Sequence, residues 1–91
     1  MRKFIIEREI PGVGAFDRNA MREIALKSNG ILEAIGADIQ WIESYVTGDK
    51  AYCLYLAKDE STIRQHAQKS GFPANRIAEV RRMIDPTTAL P

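Results

Sequence analysis

The chain lacks most of the features that announce a function directly. Its 91 residues include one cysteine, Cys53, so no intrachain disulfide framework can form. A lone thiol suits a reducing compartment, and the expected location is the cytoplasm. There is one histidine, His66, which excludes a two-histidine metal signature within a single chain. Thirteen lysines and arginines against twelve aspartates and glutamates leave a formal net charge of +1. That balance gives no electrostatic footprint for duplex nucleic acid or an anionic membrane, so neither is expected as a partner. No apolar run approaches the length of a membrane span. Residues 1–6 begin like a signal peptide, but Glu7, Arg8 and Glu9 interrupt the apolar region too early. The glycines of Pro11-Gly12-Val13-Gly14 match neither the dinucleotide nor the P-loop spacing, and no Lys-Ser/Thr follows. That segment reads as a connection. There is no internal repeat, linker or low-complexity tract, so one domain is expected over residues 1–91.

What is present is the composition of a small globular protein, 45% hydrophobic and 27% charged, enough for a modest core. Lys3 to Glu9 alternates and reads as a strand, with Phe4 and Ile6 on one face and Ile5 and Glu7 on the other. Asp17 is a suitable N-cap for a long helix ending near Gly36. Met21, Ile24, Ala25, Ser28, Ile31, Leu32 and Ile35 recur at helical spacing and form its buried stripe. Gly30 inside that helix weakens it and suggests a close backbone approach. A hairpin follows over residues 39–57. Asp59 then caps a shorter helix to about Ser70, with Ile63, Ala67 and the flank of His66 turned inward. Gly71-Phe72-Pro73 ends it, with Phe72 folded back as a plug. Asn75 to Asp85 reads as the last strand, with Ile77, Glu79, Arg81 and Met83 on one side.

The order strand, helix, strand, strand, helix, strand is the split βαβ arrangement. It predicts an α+β, ferredoxin-like βαββαβ domain of the dimeric type: a four-stranded antiparallel sheet with two helices on one face. The hairpin turn decides which side chains share a face, because a one-residue slip exchanges the faces of one strand. A two-residue Gly48-Asp49 turn would mix Leu54 with Glu43. A three-residue turn, Gly48-Asp49-Lys50, gathers Trp41, Glu43, Tyr45, Cys53 and Tyr55 on one face, and this cleaner segregation is the expectation. The uncovered face of the sheet would then carry Ile5, Glu7, Trp41, Glu43, Tyr45, Cys53, Tyr55, Glu79 and Arg81. A patch of this kind predicts a homodimer through the open sheet face.

The segments Glu7-Arg8, Ser44-Tyr45-Val46-Thr47, Tyr52-Cys53, Gly71-Phe72-Pro73-Ala74 and Asp85-Pro86-Thr87-Thr88-Ala89 resemble a bacterial family of small domains of unassigned function. One member of that family is a nickel-binding, nickel-responsive protein with a dimeric ferredoxin-like fold. The resemblance covers almost the whole chain. It implies a small dimeric protein binding nickel, another divalent transition metal or a small ligand, in a regulatory or homeostatic role.

Among the residues, Glu7 and Cys53 on neighbouring strands would pair a hard ligand with a soft one, which suits nickel. His66 is the next metal candidate, although it is expected on the helix side of the sheet, across from Cys53. Each also has an ordinary role: a strand cysteine is most often a small buried hydrophobe, and Glu7 could simply pair with Arg81. Trp41, Glu43, Tyr45, Tyr55 and Arg81 are candidate ligand-binding residues, and the tyrosines would serve equally as interface anchors. The alternative class is a cofactor-independent monooxygenase- or isomerase-like enzyme with Glu7 or His66 as general base, but no nucleophile–base pair is legible. A single-stranded RNA platform is disfavoured by the carboxylates on the same face.

Overall fold

A computed structural model describes residues 1–91. Strand β1 (Arg2–Glu9) leads through a short 3-10 turn (Val13–Ala15) into α1 (Arg18–Ile35). Then come β2 (Ile39–Val46), β3 (Lys50–Ala57), α2 (Glu60–Ser70), β4 (Arg76–Glu79) and a second 3-10 turn (Pro86–Ala89). The strands pair antiparallel in the order β2-β3-β1-β4. Both helices pack on one face, as the ferredoxin-like reading requires.

The helices start and stop where their sequence demands. The Asp17 carboxylate accepts from the Ala20 N–H at 2.8 Å, and α1 ends at Gly36, whose φ of 88° excludes most other residues. Asp59 accepts from the N–H and hydroxyl of Thr62, both at 3.0 Å, and from Ser61 Oγ at 2.7 Å. These bonds hold its carboxyl down at about 2. Gly71 closes α2 in the left-handed region. Beneath the helices lie Phe4, Ile6, Ile39, Ala51, Cys53, Tyr55, Ala57 and Ile63, with Leu32, Ile35, Trp41 and Ile77 packed against them.

The hairpin corrects the expected register. The Thr47 N–H donates to the Lys50 carbonyl at 2.9 Å, so the turn has two residues, Gly48 and Asp49. Tyr45 then opposes Tyr52, Ser44 opposes Cys53 and Glu43 opposes Leu54. A β-bulge at Ile42 shifts the ladder by one, so that Trp41 opposes Tyr55 and Ile39 opposes Ala57. Without the bulge Ile39 and Trp41 would face away from the helices; the extra residue returns them to the core. Cys53, Tyr55 and Trp41 therefore lie on the helix-covered face. Glu43 and Tyr45 stay on the open one.

The last strand is also shorter than expected. Glu79 opposes Phe4, and the Val80 N–H donates to the Lys3 carbonyl at 2.8 Å. β4 spans only Arg76–Glu79, and the chain leaves the sheet after Val80. Glu79 falls in the row of Phe4, where Arg2 Nε donates to it at 3.1 Å, and exposed Arg81 lies past the sheet. Neither joins the open face. The remaining arm carries Met83, Ile84 and Leu90, all about 70% exposed.

The connection after β1 is bound to the hairpin. Ile10 N–H donates to the Asp49 carbonyl, Gly12 N–H to Asp49 Oδ1, both at 2.9 Å, and Gly14 N–H to the Gly48 carbonyl at 3.0 Å. A Cβ at Gly14 would collide with the Thr47 carbonyl, so this glycine is there for close backbone approach.

Candidate functional site

Alternation along β1 places Phe4, Ile6 and Arg8 in one buried row. Phe4 and Ile6 meet the helices; Arg8, only 2% exposed, lies where that packing gives way to a cavity. The cavity has a volume of about 540 Å³ and lies between α1 and the sheet. Its cause is a coincidence of short side chains. Ala25 and Ser28 on α1 face Ser44, Ala51 and Cys53 on the sheet, and these do not span the gap between layers. Met21, Ile24, Trp41 and Val46 add an apolar wall. The volume is in the range of small-molecule sites, roughly 300–1,000 Å³.

One end of the cavity is polar. Arg8 Nη1 donates to the Pro73 carbonyl at 2.7 Å, and its guanidinium lies 5.9 Å from the centre of the Phe72 ring. Its Nη2, buried, has no hydrogen-bond partner within the chain. The ion pairs Arg2–Glu79, Lys50–Glu7, Arg64–Glu60 and Arg76–Glu7 leave Arg8 without a carboxylate. Such a charge is costly to bury alone. Tyr55 stands beside it; burial pushes its hydroxyl pKa up, opposed by the Arg8 charge. The Tyr55 ring meets the His66 ring at 5.5 Å between centroids, and His66 in turn meets Phe72 at 6.5 Å. Phe72 thus forms the plug expected of it.

His66 is 1% exposed, and its Nε2 lies 3.1 Å from Ser28 Oγ. Burial, with the Arg8 charge second, lowers its pKa to about 4, so the ring is neutral at pH 7. Its Nδ1 has no partner. A serine of the cavity wall therefore touches a histidine buried behind it, a pair the sequence did not reveal. They do not make an activated nucleophile: no carboxylate orients the imidazole, and its basicity is depressed rather than raised.

The residues expected to share a site are divided. Glu7 sits on the open face, opposite Tyr52, and accepts from Lys50 Nζ at 2.7 Å. That bond holds its carboxyl below the usual range. Lys50, not Arg81, is its partner. Cys53 is buried on the other face, 6% exposed, and lines the cavity. His66 shares that covered face with Cys53, correcting the expectation that the sheet separates them. Trp41 and Tyr55 also line the cavity, whereas Glu43 and Tyr45 hydrogen-bond each other outside it. No three His, Cys, Asp or Glu side chains converge anywhere. Glu7, Cys53 and His66 of one chain do not fit a nickel ion: Glu7 is across the sheet, and the Arg8 charge stands near His66 and Tyr55.

Arg8 is the residue sequence reasoning passed over. The signal was available, since period two from Phe4 and Ile6 brings position 8 inward.

A two-helix, four-stranded α+β sandwich with a cavity under its first helix defines a small ferredoxin-like domain. The chain belongs to the family described as nickel responsive protein, SCO4226-like, whose model matches residues 4–80. Its fold is similar to the crystal structure of SCO4226 from Streptomyces coelicolor A3(2), with a TM-score of 0.75 and 12% identity. The superposition covers 90% of this chain and 99% of that one. At this identity the likeness speaks for the fold. No curated protein matches the chain. No helix is long and apolar enough to cross a membrane.

Proposed function

We propose that this protein is a small-ligand-binding member of its family, with a regulatory or homeostatic role, and that it takes an organic molecule into the cavity beneath α1. The observation that carries this reading is the cavity itself, ligand-sized, walled by apolar side chains, with polar groups gathered at one end. The family description makes nickel the signal to test beside it. A homodimer through the open sheet face completes the proposal. Ile5 and Tyr45 are 43% and 58% exposed there, and the apolar arm after β4 offers a second copy further surface.

Trp41 is the single tryptophan and lines the cavity, so its fluorescence reports occupancy. Titration of untagged protein with a neutral aryl amide, 4-phenylbutyramide, should change that signal saturably. Ala25→Phe, which fills the space from the helix side, should abolish the change. A saturable response of equal affinity in that variant would place the probe elsewhere and overturn the reading. Nickel calorimetry is the second arm: tight binding lost in both Cys53→Ser and His66→Gln would replace the organic ligand with a metal.

A further inference from the structure

We infer that the ligand is a monoanion, an apolar or aromatic carboxylate whose head group pairs with Arg8. This rests on the cavity being a ligand site and names the chemistry of its occupant. Arg8 is fixed in place before any ligand arrives, by its Nη1 bond to the Pro73 carbonyl and its contact with Phe72. Its Nη2 is a buried donor without a partner, on a side chain that is 98% removed from solvent and lines the cavity. A guanidinium is a planar fork that matches a carboxylate.

No carboxylate of the chain pairs with Arg8. Glu9 borders the cavity, but it is exposed, and Asn75 Nδ2 donates to its carboxylate at 3.4 Å. Glu7 is engaged by Lys50 and lies 4.0 Å from Arg76. The neighbouring cation is of the same sign: Lys27 Nζ lies 5.4 Å from the centre of the Phe72 ring. Ser28 and Tyr55 add neutral hydroxyls. A neutral ligand would leave the Arg8 charge uncompensated, and a dianion would bring one charge too many into an apolar cavity. One negative charge on an apolar body satisfies both ends.

The test compares 4-phenylbutyrate with 4-phenylbutyramide, which share a shape and differ in charge, by Trp41 fluorescence and calorimetry at pH 7. Wild type should prefer the acid by roughly ten- to hundredfold, the range for a hydrogen bond to a charged group. Arg8→Met should bring the two affinities together while amide binding persists, which also reports that the variant is folded. Arg8→Lys keeps the charge without the fork and should fall between them. Equal affinities in wild type would overturn the inference and leave the cavity reading standing. A preference for the acid unchanged in Arg8→Met would also overturn it. Binding of neither compound would overturn the cavity reading and this inference with it.

Discussion

Glu7 and Arg8 are consecutive residues on opposite faces of one sheet, and the chain treats their charges in opposite ways. On the open face Glu7 has Lys50 at 2.7 Å and Arg76 at 4.0 Å, a partly exposed network in which both Glu7 and Lys50 are held in their charged forms. Partly exposed pairs of this kind contribute little to stability and are easily replaced. On the covered face Arg8 is more deeply buried and has no carboxylate at all. A protein that answers its easy charge and leaves its difficult one unanswered has a use for the second. The open face is a surface; the covered face contains the candidate site.

The strongest way to break this comparison is to place the same carboxylate on each side. Ile6 is fully buried and Ile5 is 43% exposed, one residue apart. Ile6→Asp should cost more than about 4 kcal/mol and leave no cooperative unfolding transition, because it buries an unpaired charge. Ile5→Asp should shift monomer stability by less than about 1 kcal/mol. It should, however, split the proposed dimer by placing an unpaired charge in an apolar interface. Urea denaturation and light scattering check both. Comparable loss of stability in the two variants would mean the faces are not as different as described, and a persisting Ile5→Asp dimer would place the interface elsewhere.

How much of this was legible depended on how far each signal acts. Helix boundaries were, because Asp17, Gly36, Asp59 and Gly71 act locally through caps and left-handed turns. The strand order was, because alternating elements leave few ways to cover one sheet. The faces of β1 were, because no irregularity interrupts it. The hairpin was not, because two devices act in sequence: a two-residue turn sets the register, and the bulge at Ile42 then shifts it by one. The three-residue-turn reading placed Trp41 on the face of Cys53 and Tyr55 but would have paired it with Ala57 rather than Tyr55. The adjacent apolar pair Trp41-Ile42, which breaks alternation, was the visible trace of the bulge. The site depended on this detail, since the bulge brings Trp41 to the same face as Cys53 and Tyr55. The length of β4 was not legible, because Val80 to Asp85 carry on with residues a strand would accept although the ladder ends at Glu79.

The covered face should also have its own pH signature. His66 is held neutral with a pKa of about 4, whereas an unfolded histidine titrates near 6.5. Between these values the unfolded chain binds the extra proton, so stability rises with pH across the window. Its contribution is complete above pH 6.5 and is lost as pH falls toward 4. The slope from one group is at most about 1.4 kcal/mol per pH unit. His66→Gln, measured beside wild type, should flatten the urea midpoint between pH 6.5 and 4. The paired carboxylates Glu7, on the open face, and Glu79, at the sheet edge, are shifted downward by Lys50 and Arg2, so their contribution is lost at lower pH and should survive in the variant. An unaltered slope in His66→Gln would show that the ring is hydrated and that the cavity end is open to water.

The smallest effect tests whether α1 is as two-sided as the sheet it covers. Its stripe of Met21, Ile24, Ala25, Ser28, Leu32 and Ile35 is at least partly buried, while Gly30 is exposed and a Cβ built there meets nothing within 4 Å. The close approach that a mid-helix glycine suggested is absent, so Gly30 serves no contact within the chain. Gly30→Ala should therefore stabilise the protein by about 1 kcal/mol, the difference in helix propensity. The gain should appear as a higher urea midpoint with an unchanged slope, since no surface is newly buried. A loss of stability that grows with protein concentration would have one physical meaning. The outer side of α1 would then be pressed against another chain at Gly30, and the helix would separate a ligand cavity from a second interface.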